Sequence, residues 1–331
     1  MKKTIPSLSF FFLLVMTGCQ TSEENTDEVK IGYFPNLTHI PSIIALENGY
    51  LEDHFGEDIE ITPNTFPDGS VFMEAMSTQD IDIGTVGPSP AMNTYQINPE
   101  HEVIAGAING GAVLVTNETA GIEHVKDLDE ASVAIPAITA TQDMMLRAAL
   151  MEEGLNAEDS GGSVSMLPQA PADTSTLFLQ DDVDAAAVPE PWGVNLESQA
   201  GAEVLLDADE FAWGMETPTT VVTARTGFTE ENEDLTKGYL RAHVDAIQFI
   251  EENPEESIDI FIEHIEELTG NELDQEKLHS ANERLNATYE LNVDIMQEMA
   301  TISYDAQYTR TDDIKGLINL EYLEDVLGEE Q

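Results

Sequence analysis

A single cysteine, Cys19, occurs in the whole chain of 331 residues. An intrachain disulfide and a multi-cysteine metal site are therefore both excluded. Basic residues are nearly as scarce, with 12 Lys and Arg against 65 Asp and Glu, a formal net charge of −53. A polyanion is bound by a basic stripe that neutralises its phosphates, and this composition offers none. Nucleic acid is excluded as a partner, and an anionic membrane surface would repel the chain. Also missing is an apolar run long enough to span a bilayer, since the one candidate, Leu8 to Val15, has eight residues. What is present is a hydrophobic fraction of 41% with 23% charged residues, the composition of a packed protein of about two domains.

The N-terminus has the layout of an export signal over residues 1–18. Lys2 and Lys3 precede the apolar run, and Met16-Thr17-Gly18 leads into Cys19. That ending resembles a lipobox, which implies lipid attachment at Cys19 and cleavage before it; the alternative is a plain secretory peptide with an incidental cysteine. Residues 19–28 then form a polar, acidic tether with nothing apolar to bury. The expected location is the outer face of the cell membrane, on the periplasmic side if two membranes surround the cell.

From Val29 to Val222, short β-branched runs alternate with helical patterns, the signature of α/β units with mostly parallel strands. Strands are expected at 29–33, 59–62, 81–85, 103–107, 112–116, 132–135, 164–167, 185–188 and 219–223. Helices are expected at 41–48, 70–77, 89–96, 141–153, 174–180 and 191–199. After Phe228 the pattern is helical only. One late helix, Pro254 to Leu268, shows an apolar stripe of Ile258, Phe261, Ile262, Ile265 and Leu268 with acidic residues elsewhere. Those acids read as a solvated face, because no Asp-x-Asp-x-Asp-Gly loop for calcium occurs. No metal site and no cofactor are expected.

Ligands of open α/β sheets gather where strands end and helices begin. Five such loops share hydroxyl, amide, Gly and Pro residues: Asn36, Thr38 and His39; Gly87 and Ser89; Gly110 and Gly111; Thr139, Thr141 and Gln142; and Glu190 with Trp192. Taken singly, Ser89 and Thr141 could be helix caps, Asn36 and Thr38 turn residues, His39 a structural histidine and Trp192 plain core. Recurrence of the same chemistry in five loops favours a small polar ligand. No Lys or Arg of the segment beyond residue 18 lies in these loops. An anion would be held by helix N-termini, by hydroxyl and amide donors and by His39.

The strings Ile31-Gly32-Tyr33-Phe34-Pro35-Asn36-Leu37-Thr38-His39 and Asp82-Ile83-Gly84-Thr85-Val86-Gly87-Pro88-Ser89-Pro90-Ala91 carry a resemblance. With Gly110-Gly111-Ala112, Thr141-Gln142-Asp143, Leu146-Arg147 and Val188-Pro189-Glu190-Pro191-Trp192-Gly193, they resemble the substrate-binding proteins of ABC importers for nitrate, sulfonate and taurine, aliphatic-sulfonate-type branch. The resemblance implies a two-lobed α/β clamp of the type II periplasmic-binding-protein kind. Lobe I would be 29–111 plus 219–331, lobe II 112–218, with ligand in the cleft. It implies a small, anionic solute as ligand, Asn36, Thr38, His39, Gly87, Ser89, Gly111, Thr139, Thr141, Gln142, Glu190 and Trp192 as site residues, an ABC permease and its ATPase as partners, and a monomer. Where this chain has Thr139-Ala140-Thr141-Gln142, the family commonly has Gly-Asn-Thr-Gln, so one amide near the ligand is absent.

Glu190 fits an anion poorly, which keeps open a thiamin-precursor pyrimidine or another ring with N–H donors. Two further readings are a ligand-sensing lipoprotein and a pyrimidine-processing enzyme. For the enzyme, Lys30, Lys126, Lys237, Lys277 and Lys315 all lie outside the loops, and no Gly-x-Ser-x-Gly elbow occurs. The acidity itself, dense at Glu251 to Asp274 with ten acids and no Lys or Arg, points to a halophilic habitat in which salt screens the repulsion.

Overall fold

The computed structural model describes residues 27–270 and 273–329. The export signal, Cys19 and all but the last two residues of the tether lie outside the described residues. The strands, in chain order, are β1 (Glu28–Tyr33), β2 (Glu60–Thr65), β3 (Ile83–Val86), β4 (His101–Gly110), β5 (Ala112–Thr116), β6 (Ser132–Ile135), β7 (Ser165–Pro168), β8 (Ala185–Pro189), β9 (Glu203–Leu206), β10 (Pro218–Arg225) and β11 (Leu285–Ala287). They form two sheets, ordered β11-β4-β10-β3-β1-β2 and β7-β6-β8-β5-β9. This is a two-lobed α/β clamp.

The helices that cover the sheets are α1 (Ile40–Glu47), α2 (Tyr50–Phe55), α3 (Gly69–Ser77), α4 (Pro88–Tyr95), α5 (Thr141–Glu152), α6 (Thr174–Leu179) and α7 (Trp192–Ala200). The C-terminal stretch adds α8 (Thr226–Glu231), α9 (Glu233–Glu252), α10 (Pro254–Thr269), α11 (Gln275–Asn282), α12 (Val293–Asp305) and α13 (Glu321–Glu329). Every strand and helix expected from sequence is present to within a few residues. Asn48 and Gly49 end α1 as anticipated, Gly49 taking φ +73°.

The expectation of mostly parallel strands needs correction. β1 pairs in parallel with β2 and β3, and β6 with β7 and β8, but every pairing made by β5, β10 and β11 is antiparallel. The reason lies in the crossings between lobes. β4 ends at Gly110 and β5 begins at Ala112 in the other sheet, so β5 enters at the edge where its neighbours end and must run against them. β10 returns to the first sheet in the same way and lies antiparallel between β3 and β4.

Three elements were not anticipated: α2, β9 and β11. β9 and β11 have four and three residues and sit at sheet edges, where pairing comes from the neighbouring strand and not from local propensity. β11 also overturns the expectation of an all-helical C-terminal stretch. There Leu285 is placed opposite Gly110 and Ala287 opposite Ile108.

The first sheet is packed on both faces. Val29, Ile31, Ile104 and Ile108 meet Ile40, Ile43 and Ile44 of α1, Leu240 of α9 and Phe261 of α10. On the other side Phe72, Met73, Met76, Met92, Met296 and Met299 form a second cluster, which also takes in Met144 of α5. Such two-sided burial explains the near-continuous apolar run of β4. On α10, Ile258, Phe261 and Ile265 are buried and Ile262 half-buried, but Leu268 in the last turn is exposed, so the anticipated stripe is one residue too long. Glu255, Glu256, Asp259, Glu263 and Glu267 face solvent as anticipated.

Candidate functional site

A cleft of about 490 Å³ lies between the lobes at the carboxyl ends of the parallel strands. One side is built from Phe34, Pro35, Asn36, Thr38 and His39 after β1, from residues 66–70 after β2, from Gly87 and Pro90 after β3, and from Thr219 of β10. The other is built from residues 136–142 after β6, residues 168–172 after β7, and Pro189 with Trp192 after β8. No Lys or Arg is among these lining residues.

The helix N-termini hold the polar chemistry. Helix α4 has Gly87 at its N-cap and Ser89 within its first turn; α5 has Ala140 at its N-cap and Thr141 as its first residue. Neither N-cap residue supplies a side-chain acceptor. The capping reading of Ser89 and Thr141 is therefore wrong, because both sit inside the helix and not before it. Their hydroxyls are buried without a hydrogen-bond partner. A buried polar group left unpaired costs about 1–3 kcal/mol, so it marks a place where a partner is to be supplied. The two termini meet across the cleft: a Cβ on Gly87 would stand 2.7 Å from Thr141 Oγ1. Glycine permits that approach; in the first turn of α4 Pro88 and Pro90 carry no N–H and only Ser89 does, so the backbone donors that favour negative charge come mainly from the N-terminus of α5.

Thr139, just upstream, adopts φ +69°, and its N–H donates to Asp143 Oδ2 at 2.8 Å. A β-branched residue in the left-handed region is costly by roughly 1–3 kcal/mol, and such strain concentrates at ligand clamps. Gln142, buried beside Thr141, completes this part of the lining.

The loop after β1 is more local in its bonding. Asn36 Oδ1 accepts from the Thr38 N–H at 2.9 Å and from the Thr38 hydroxyl at 2.7 Å, an Asx turn that opens the short 3₁₀ segment Leu37–His39. Both residues line the cleft, but their bonds within the protein are those of a turn. His39 is buried, with Nδ1 2.8 Å from Thr85 Oγ1 and its ring 4.6 Å from that of Phe34. Burial lowers its pKa to about 3. His39, which lines the cleft, is consequently neutral and contributes no positive charge to hold an anion.

Ser89, Gly111 and Glu190 are not on the lining. Gly111 serves the crossing between sheets: it has φ +72°, its N–H donates to Arg284 O at 2.7 Å, and a Cβ there would meet Leu285 at 2.9 Å. Glu190 is fully buried; its Oε1 accepts from Arg284 Nη1 at 2.6 Å and its Oε2 from the Val194 N–H at 3.2 Å. Burial raises the Glu190 pKa while the hydrogen bond and charge of Arg284 oppose that rise. Trp192, the first residue of α7, does line the cleft as an apolar wall.

Sequence reasoning missed two stretches of lining, Phe66 to Ser70 and Pro168 to Ala172. Each follows the end of a parallel strand, β2 and β7, so the rule that located the other loops applied to them also. Asp68 in particular is the N-cap of α3, accepting from the N–H groups of Ser70 and Val71 at 2.8 and 3.1 Å. Among the described residues no cluster of three or more His, Cys, Asp and Glu could hold a metal ion.

Comparison with known proteins agrees with this architecture. A putative aliphatic sulfonates-binding protein of Escherichia coli K12 is 26% identical over 248 residues, covering 74% of each chain. The taurine-binding periplasmic protein of the same organism is 28% identical over 193 residues, covering 57% of each. Among solved structures, the alkanesulfonate-binding protein of Xanthomonas axonopodis pv. citri bound to MOPS superposes with a TM-score of 0.75 at 18% identity, covering 88% of this chain and 98% of that one. The profile of the NMT1-like family matches residues 22–263, and the chain belongs to that family.

Proposed function

We propose that this protein is the exported solute-binding component of an ABC importer. Its two lobes, 29–111 with 219–331 and 112–218, close on a small anionic solute of the sulfonate, taurine or nitrate class and deliver it to a permease driven by an ATPase. Lipid on Cys19 keeps it at the outer face of the membrane. The observation that carries the reading is the buried, unpartnered Thr141 hydroxyl on the cleft lining at the N-terminus of α5, with Gly87 bringing the N-terminus of α4 against it from the other lobe. An anion there supplies the missing partner while meeting both helix termini at once, and so favours the closed form over the open one. The names of the relatives, aliphatic sulfonates-binding and taurine-binding, support the ligand class.

The pyrimidine alternative rested on Glu190, and that carboxylate is occupied by Arg284 away from the lining. Calorimetric titration with nitrate, 2-aminoethanesulfonate, alkanesulfonates and pyrimidines tests the proposal, together with mass spectrometry of the solute retained on purification. Binding of the sulfonates is the expected result. Binding of cationic solutes alone would overturn it.

A further inference from the structure

One lining residue of the cleft is charged, and it is an acid: Asp68. Its carboxylate is held in place by α3, whose first N–H groups bond to Oδ1; among the described residues no hydrogen bond falls on Oδ2. The loop that carries Asp68 packs close to the Thr141 end of the cleft. A Cβ on Gly69 would stand 2.5 Å from Pro90 Cγ, and a Cβ on Gly87 would stand 3.6 Å from Pro90 Cδ and 2.7 Å from Thr141 Oγ1. A single proline ring thus separates the Asp68 loop from the point where α4 and α5 meet.

The cleft is electrically polarised over that span. At one end two helices of eight and twelve residues begin without a side-chain cap, and the buried Thr141 hydroxyl on the lining has no partner. At the other end the N-terminus of α3 is already neutralised by a carboxylate that keeps an acceptor to spare. A plain anion meets repulsion from Asp68, whereas a solute with an N–H donor at its far end converts that repulsion into a charge-assisted hydrogen bond.

We propose that Asp68 is a specificity-determining residue, selecting dipolar solutes whose anionic head sits at α4 and α5 and whose ammonium or other N–H group donates to the Asp68 carboxylate. This rests on the anion-binding reading above. The test titrates 2-aminoethanesulfonate and ethanesulfonate, which differ only in the amino group, into the wild type, Asp68→Asn and Asp68→Ser. Asn and Ser cap a helix as Asp does, so an unchanged melting temperature shows that α3 is intact. The wild type is expected to prefer the amino compound by about tenfold or more, the size of one charge-assisted hydrogen bond, and both variants to lose that preference. A wild-type preference for ethanesulfonate, or an amino preference that survives both substitutions, overturns the role of Asp68 alone. Binding of neither compound by the wild type removes the sulfonate reading and this one with it.

Discussion

Arg284 and Glu190 form an ion pair across the two lobes, with Nη1 2.6 Å from Oε1. Arg284 precedes β11 in the first sheet; Glu190 follows β8 in the second. The same guanidinium reaches Glu197 at 2.9 Å and, through Nε, Asp207 at 2.8 Å. Burial works against the Arg284 charge, but the bonds and charges of Glu190 and Glu197 outweigh it and raise its pKa. A second arginine, Arg147 of α5, likewise joins Asp143 and Asp159, beside the second sheet, to Tyr308, which packs on a cluster of the first. In a chain with 12 Lys and Arg, two of them thus tie the lobes together.

Removing Arg284 leaves the fully buried Glu190 without its counter-charge. Arg284→Gln is expected to lower unfolding free energy by about 3 kcal/mol, the usual loss when one partner of a buried pair is deleted. Adding Glu190→Gln should recover a good part of it, because the orphaned charge is then gone. Urea denaturation of the two single variants and the double variant measures the coupling; additive losses would show the pair to be incidental.

Thr141→Val keeps the shape of the side chain and removes a hydroxyl that bonds to nothing in the protein. Stability should therefore hold or rise slightly, while affinity for the solute falls about tenfold, the value of one hydrogen bond to an anion. Ser89→Ala is expected to leave both stability and affinity unchanged, since that hydroxyl also bonds to nothing but is not on the lining. Thermal melting and titration calorimetry on the same preparations separate the two effects. A drop in melting temperature with unchanged affinity would assign these hydroxyls to the fold.

The parts legible in the sequence were those written in local pattern. The strands from β1 to β8 and the helices between them other than α2 follow from β-branched runs, apolar periodicity and Gly or Pro punctuation, and so do most of the cleft loops. Pairing direction was not legible, because β5 and β10 are reversed by the route of the chain between lobes and not by their composition. The same holds for Glu190: its neighbour Trp192 lines the cleft, but its own partner, Arg284, lies 94 residues away and no local signal connects them. An Asp before a helix carries the signal of a cap, and Asp68 is one; that it also borders the cleft depends on where β2 ends.

Burial of His39 has a consequence for acid stability. With its pKa lowered to about 3, the folded chain cannot take up the proton that the unfolded chain accepts below about pH 6.5. The stability tied to this neutral histidine is therefore complete above pH 6.5 and is lost as the pH falls toward 3. Between pH 7 and pH 5 the loss from this residue is about 2 kcal/mol. His243, buried against Gly106 O and lowered to about 4, acts in the same direction. Urea unfolding of wild type and His39→Gln at both pH values isolates the contribution, since protonation of the many carboxylates is common to both. Equal pH dependence in the two proteins would show that His39 accepts its proton in the folded state.

Salt should stabilise this protein, despite weakening its exposed ion pairs. Pairs such as Lys237 with Glu233 and Arg241 with Glu329 involve exposed carboxylates and contribute little even at low ionic strength. The opposing term is far larger, because a formal charge of −53 repels itself across the whole surface, and most densely along α10 and its neighbours. Screening shortens the reach of that repulsion from about 30 Å at 0.01 M to about 3 Å at 1 M salt. The buried Arg284–Glu190 bridge is shielded from the same ions and keeps its strength. The melting temperature is expected to rise by roughly 5 °C or more from 0.01 to 1 M NaCl. Glu255→Lys with Glu256→Lys should raise it at low salt and leave it unchanged at high salt, since those charges then no longer feel their neighbours. A melting temperature that is flat or falls with NaCl would show that the acidic surface is not what limits stability, and would remove the case for a saline habitat.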